Sequence, residues 1–362
     1  MRPTYIKINQ KALLHNVNYI KQLAPKQKIM AMVKANAYGC GMNFIVPILD
    51  NVVDFFGVAC TEEALEIRNL GSNTACLLLE GVFSKDELQI ATAYNLQCVI
   101  HQYYQLEWLL EKALPKKIVV WIKIDTGMGR LGFNVTELTA ILNKLQQCPW
   151  VVPQIGIMSH FACADVMNHH QNTIQINNIN SIFTTIDKSH NIFYSIANSA
   201  TILNFPAMHV DIIRPGIMLY GVSPSANHMS SDYNLKPVMS FFSAIISIHN
   251  YPAGVSIGYG STWKTTKPTT VAIVAAGYGD GYPRHINPNT LVAINHEFAP
   301  IVGTISMDML AIDITLCNNI RVGDKVELWG NAIPIETVAN AAGTIAYELM
   351  CQITTRNKRI QE

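Results

Sequence analysis

The sequence predicts an α/β protein: a (β/α)8 barrel of the TIM type followed by a mainly β C-terminal domain. Two observations carry that expectation. Short apolar, β-prone runs recur with helix-length segments between them, and eight strands alternating with helices argue for a barrel rather than an open sheet. After Leu219-Tyr220-Gly221 the alternation stops and the texture becomes all-β. A chain of 362 residues also suits a large barrel plus a smaller module.

The elements follow in order. Asn9 to His15 enters a helix, with Leu13, Leu14, Val17 and Ile20 on helical spacing. The barrel strands are read at Ile29–Val33, Phe55–Ala59, Cys76–Leu79, Cys98–Ile100, Ile118–Ile124, Gln154–Met158, Phe193–Ile196 and Val210–Ile213. Thr61–Leu70 and Ser84–Tyr94 read as helices, each opened by a Thr or Ser with glutamates nearby. The polar stretch Ser223 to Ser231 reads as a linker. Beyond it, strands are expected at Val238–Ile248, Thr270–Ala275, Leu291–Ile294, Ile301–Ser306 and Lys325–Trp329, with helix over 334–350. The domains are therefore placed at 1–228 and 229–362.

Composition bounds the function. Apolar residues make up 49% of the chain, enough for a sizeable core, and a formal net charge of +1 gives no pull toward nucleic acid or membrane. The N-terminal Met1-Arg-Pro-Thr-Tyr-Ile-Lys carries no signal-peptide h-region, and no apolar run approaches a membrane span. The eight cysteines form no Cys-x-x-Cys pair, and Cys60, Cys76 and Cys98 lie in apolar surroundings, which reads as reduced core thiols. A cytoplasmic protein without a metal site is expected.

The chain is organised around Lys28-Ile-Met-Ala-Met-Val-Lys34-Ala-Asn-Ala-Tyr38-Gly-Cys-Gly41, a buried strand breaking into a glycine-rich loop. A lysine where the apolar run stops either caps the strand in solvent or serves as a partly desolvated amine nucleophile or base. Val33-Lys34-Ala35-Asn36-Ala37-Tyr38-Gly39 closely resembles the pyridoxal 5'-phosphate (PLP) lysine motif of the alanine racemases, which are fold-type III PLP enzymes. The resemblance implies that Lys34 forms the Schiff base with PLP and that Tyr38 gives a phosphate-side hydrogen bond.

Further motifs sit at the ends of the predicted strands, where barrels carry function. Asn198-Ser199 ends strand seven and Arg214-Pro-Gly216-Ile217 ends strand eight. A hydroxyl with free backbone N–H groups around a glycine makes a plausible phosphate cradle, although two ordinary loops would look the same. Together they resemble the family's phosphate and pyridine-binding segment. The resemblance sets Arg214 against the ring nitrogen, where an arginine keeps that nitrogen unprotonated and favours simple reprotonation at Cα. Lys123-Ile-Asp125-Thr-Gly-Met-Gly-Arg130 is the second most specific stretch. By resemblance Arg130 supports the substrate carboxylate and the cofactor's phenolic oxygen, and Lys123 is a carbamylation candidate that would fix Arg130. His160 in Ser159-His160 is implied to lie near the cofactor ring, with Asp165 at the entrance.

In the C-terminal domain, Ser256-Ile-Gly258-Tyr259-Gly260 puts a tyrosine between glycines on a tight turn. Alone it reads as a turn tyrosine. In the family the matching tyrosine is the second catalytic base, reaching into the partner's barrel of a homodimer. The resemblance likewise places Tyr278 and Met307 beside the partner's substrate pocket and Arg284 toward the entrance channel. Two departures are visible. Thr355 stands where the family often has a phosphate-binding tyrosine, and Thr304 replaces the usual arginine before Met307-Asp308. The activity implied is interconversion of L- and D-alanine by two bases, Lys34 and Tyr259, supplying D-alanine for peptidoglycan or degrading it. A PLP carrier, a decarboxylase of basic amino acids and a broad-specificity racemase are the competing readings.

Overall fold

The computed structural model describes residues 2–111, 113–186 and 191–362. The chain divides into two compact units: Val17–Ala37 with Met42–Leu219, and Met1–Asn16 with Tyr38–Gly41 and Tyr220–Glu362. The main changeover of the chain thus falls between Leu219 and Tyr220, and two short early segments join the later unit.

The second unit begins with the strand β1 (Tyr5–Ile8), which no sequence pattern had flagged. The first unit is the barrel. Its strands are β2 (Lys28–Met32), β3 (Phe55–Val58), β4 (Ala75–Leu78), β5 (Leu96–Ile100), β6 (Val120–Lys123), β7 (Ile155–Met158), β8 (Ile192–Ser195) and β9 (Ile212–Ile213). All neighbouring pairs are parallel, in the spatial order β8-β7-β6-β5-β4-β3-β2-β9. Arg214 N donates to Ala197 O at 2.8 Å and Ser195 Oγ to Ile212 O at 2.8 Å, so the first and last strands of that order are tied as well. The eight predicted strands are all present, each within two residues at its ends. Thr61–Asn69 and Glu87–Ala93 are helices, the second starting three residues later than expected because Ser84 to Asp86 form the turn before it.

Burial explains why these short runs become strands. β4, β6 and β7 are almost wholly apolar and buried, as parallel strands covered on both faces must be. Trp121 on β6 is fully buried, and its indole lies against Gly156 of β7, where any Cβ would overlap the ring. The indole N–H donates to Gln97 Oε1 at 2.7 Å, which satisfies its one polar group.

The second unit continues with β10 (Met239–Tyr251), β11 (Ser256–Ile257), β12 (Trp263–Lys264), β13 (Thr269–Val274), β14 (Leu291–Ile294), β15 (Glu297–Val302), β16 (Leu310–Asp313), β17 (Lys325–Trp329) and β18 (Lys358–Gln361). Six of these close an antiparallel ring, β13-β16-β15-β14-β17-β10, because β10 also pairs with β13. β10 reaches both neighbours by two register shifts. β1 pairs antiparallel with β10 and parallel with β18.

Two expectations need correction here. The strand read at Ile301–Ser306 lies at Glu297–Val302, since Gly303 at φ +67° turns the chain out of the sheet. The stretch Ser223 to Ser231 is not a loose linker. Ser223, Ser225 and Ser230 are buried, and the Glu336 carboxylate accepts the amides of Ser223 (3.0 Å) and Ser230 (3.2 Å).

Candidate active site

Lys34 follows β2 by two residues and is half-buried. Its amine has no hydrogen bond or ion pair among the described residues. The four residues after it, Ala35 to Tyr38, all have φ near +53°, a left-handed turn that L-residues rarely sustain. Ala37 N still reaches Val33 O at 2.8 Å, and Asn36 Oδ1 accepts Met42 N at 2.7 Å.

Across the barrel's C-terminal end lies a group of cations. Lys123 is the last residue of β6. Burial first, then the positive charges of Arg214, Arg130 and Lys34, push its amine down to about 7. Arg130 is exposed at the end of a turn that Asp125 organises: its carboxylate accepts the amides of Met128 (2.8 Å), Gly127 (2.9 Å) and Gly129 (2.9 Å). Asp125 therefore shapes the loop.

Arg214 follows β9 directly and is buried. Nη1 donates to Ser195 O at 2.5 Å and Ser195 Oγ at 2.7 Å, and Nη2 donates to Ser159 O at 2.6 Å. Burial lowers it to about 10, so it stays charged at neutral pH. No carboxylate touches it among the described residues, and its Nε–H has no acceptor there. His160 stands beside it: Arg214 Nη2 faces Nδ1 at 3.4 Å and Asn198 Nδ2 faces Nε2 at 3.2 Å. Burial, and then Arg214, Lys123, Arg130 and Lys34, hold this imidazole well below its usual range, which keeps the ring neutral. Asn198 also caps the helix Ser199–Asn204, its Oδ1 accepting Thr201 N at 3.0 Å. Ser199 Oγ accepts Gly216 N at 2.9 Å, while the amide of Ile217 has no acceptor among the described residues. Asp165 is half-buried in the loop after β7.

The second unit carries the remaining residues. Tyr38 is buried and stacks on Tyr220 with ring centroids 4.8 Å apart. Tyr259 begins a short turn and is 68% exposed. With Arg284 and Thr304 it lines an open cleft of about 720 Å³. Tyr278 and Met307 are exposed on adjacent loops, joined by Tyr278 N to Ser306 O at 3.2 Å and Gly279 N to Met307 O at 2.8 Å. Thr355 is exposed, and its chain neighbours Thr354 and Arg356 donate to Gly279 O at 2.9 Å and Asp308 Oδ1 at 2.7 Å.

Residues 8–224 match the family model for the alanine racemase N-terminal domain, and residues 238–361 the model for the alanine racemase C-terminal domain. The chain belongs to the alanine racemase family. That makes it an enzyme, an isomerase acting on amino acids. An alanine racemase of Legionella pneumophila (strain Lens) is 52% identical over 355 residues, covering 98% of both chains. The crystal structure of the biosynthetic alanine racemase from Pseudomonas aeruginosa superposes with a TM-score of 0.96 at 40% identity, covering 100% of both chains. The structure of alanine racemase from Acinetobacter baumannii gives 0.94 at 43% identity, again over 100% of both chains.

In this alanine racemase family member the donor set fits PLP. Among the described residues, the amine of Lys34, the Nε–H of Arg214 and the amide of Ile217 are without partners, and with the Ser199 hydroxyl they answer an aldehyde, a ring nitrogen and a phosphate. Sequence reasoning missed Glu63. Its carboxylate accepts Ala35 N at 2.7 Å and Ala59 N at 2.8 Å, pinning the left-handed turn behind Lys34 to the loop after β3. The signal available was a glutamate at the third position of the helix Thr61–Asn69, which reaches back toward the chain before it.

Proposed function

We propose that this protein is a PLP-dependent alanine racemase that interconverts L- and D-alanine, acting as a cytoplasmic homodimer. The observation that carries the reading is that, among the described residues, the Lys34 amine has no partner at a barrel mouth lined by cations, and no carboxylate touches the buried Arg214. Lys34, Arg214, Ser199, Gly216 and Ile217 would hold the cofactor, with Tyr38, His160, Asn198 and Thr355 around it by family resemblance. The chemistry that PLP supplies when bound is withdrawal of electron density from the amino acid's Cα, which acidifies its Cα–H.

The chain's own groups do the rest. Arg130, free at its turn, orients the substrate carboxylate. Tyr259 Oη of a second copy takes the Cα proton of L-alanine on one face, and Lys34 Nζ returns one on the other; for D-alanine the roles reverse. Two bases on opposite faces are what inversion requires. The exposed position of Tyr259 and its cleft with Arg284 support a dimer with shared sites, in which Tyr278 and Met307 border the partner's substrate. Carbamylation of Lys123 fits an amine held near 7, which is partly neutral and able to react with carbon dioxide. A decarboxylase would call for an acidic partner at the ring nitrogen; Arg214 holds that slot. Supply of D-alanine for peptidoglycan agrees with the biosynthetic neighbour.

The test is Cα deuterium incorporation in D2O, followed by NMR, on the PLP-loaded protein with a panel of L-amino acids. Exchange with D-enantiomer formation restricted to alanine supports the reading. Comparable rates on lysine, arginine or methionine make it a broad-specificity racemase. Loss of the carboxylate makes it a decarboxylase, and no exchange makes it a carrier.

A further inference from the structure

The Asp280 side chain is fully buried, within ion-pair distance of two arginines. Burying a carboxylate is unfavourable unless cations and donors meet it. Here they arrive from both ends of the chain. Arg2 Nη2 donates to Oδ2 at 2.7 Å, and Gly277 N donates to the same oxygen at 2.9 Å. Oδ1 accepts no hydrogen bond among the described residues; Arg356 Nε lies 3.3 Å from it. Arg356 then bridges outward, Nη2 donating to Asp308 Oδ1 at 2.7 Å, while Arg2 Nη2 also donates to Asp308 O at 2.8 Å.

Three segments meet at this carboxylate. One is the turn 277–282, another the loop 306–309, and the third the C-terminal loop 354–357. Besides the charges, Thr354 Oγ1 donates to Gly279 O at 2.9 Å and Asn357 Nδ2 to Asp280 O at 2.6 Å. The fit is close enough that a Cβ at Gly277 would overlap the carbonyls of Ser306 and Met307. One at Gly279 would overlap the Arg356 guanidinium. Each segment carries an exposed side chain that the family resemblance assigns to the site: Tyr278 at 39% exposure, Met307 at 53%, and Thr355.

We propose that Arg2, Asp280, Arg356 and Asp308 form an ionic brace whose task is to position Tyr278, Met307 and Thr355, so that Asp280 and Arg356 are positioning residues for substrate selection. The inference rests on the alanine racemase reading, in which Tyr278 and Met307 face substrate. An ion pair as exposed as Arg356–Asp308 adds little stability by itself. What it does add is a fixed distance between the two loops that would limit the size of the substrate side chain.

The experiment compares wild-type holoenzyme with Arg356→Met and Arg356→Lys, reading kcat and KM for L-alanine and the ratio of kcat/KM for L-alanine over L-serine. Melting temperature and dimer mass are measured alongside. Arg356→Met is expected to raise KM about tenfold and narrow the alanine-to-serine ratio about fivefold, the scale of a pocket change of one small group. Arg356→Lys, which keeps a charge beside Asp280, recovers most of both. A lowered melting temperature with KM and ratio within about twofold of wild type overturns the proposal, since exposed ion pairs alone behave that way. If Arg356→Met does not fold, Asp308→Asn loosens only the outer half and is read by the same ratio. If wild type fails to racemise alanine, the functional reading falls instead. Amide hydrogen exchange at Tyr278 and Gly279 in the ligand-free protein then decides whether the brace exists: faster exchange in Arg356→Met upholds it, unchanged exchange removes it.

Discussion

Glu63 Oε1 accepts the backbone N–H of Ala35 at 2.7 Å, one residue past Lys34. Four consecutive left-handed residues follow that lysine, each disfavoured by roughly 1–2 kcal/mol. Something must hold them, and the Glu63 carboxylate does so by bonding the loops after β2 and β3 together. Glu63→Ala is expected to destabilise the protein by about 3 kcal/mol, the loss of two charge-assisted hydrogen bonds, and to lower kcat. Glu63→Gln keeps one acceptor and should fall between. Thermal melts and steady-state kinetics check both, with the exposed neighbour Glu62→Gln as the control.

Lys123 gives a pH-dependent prediction. Its folded-state amine titrates near 7, below its unfolded value, so between about pH 7 and pH 10 the unfolded chain binds the extra proton. Stability from this group therefore rises with pH across that window, and the penalty is fully present below it. Lys123→Met should stabilise the protein most at pH 6, by roughly 2–4 kcal/mol, with the gain vanishing toward pH 10. Denaturant melts at several pH values in bicarbonate-free buffer check this. A carbamylated Lys123 carries no ammonium, so adding bicarbonate should flatten the dependence.

Ser199 Oγ, which accepts Gly216 N, and the amide of Ile217, free among the described residues, are the proposed phosphate cradle. Removing the hydroxyl in Ser199→Ala is expected to weaken PLP binding about tenfold, the worth of one hydrogen bond to a charged group. Fluorescence titration of the apo-protein with PLP reads the change directly. Unaltered affinity would place the phosphate elsewhere.

Tyr259→Phe removes one proposed base and leaves the other. Cα–H exchange from L-alanine should slow at least 100-fold or so, and far more than exchange from D-alanine. Equal residual rates from both enantiomers, measured by deuterium NMR, would withdraw the two-base assignment.

Much of this protein was legible along the chain because its determinants are local. The barrel strands announce themselves as short apolar runs, since a parallel strand is buried on both faces. Lys34, Arg130, Arg214 and Tyr259 stand in contiguous motifs, each at the end of an element where its backbone is already committed to turning. The tertiary structure decided what depends on residues far apart in sequence. β1 and β18 are strands because each completes the other beside β10, and neither run is apolar enough to show it alone. Ser223 to Ser231 looks like a polar linker until Glu336 is seen accepting its amides. The Glu63 bond to Ala35 and the meeting of Arg2 and Arg356 on Asp280 belong to the same class. A hydrogen bond or ion pair across loops is a matter of distance in space, and a sequence pattern carries only distance along the chain.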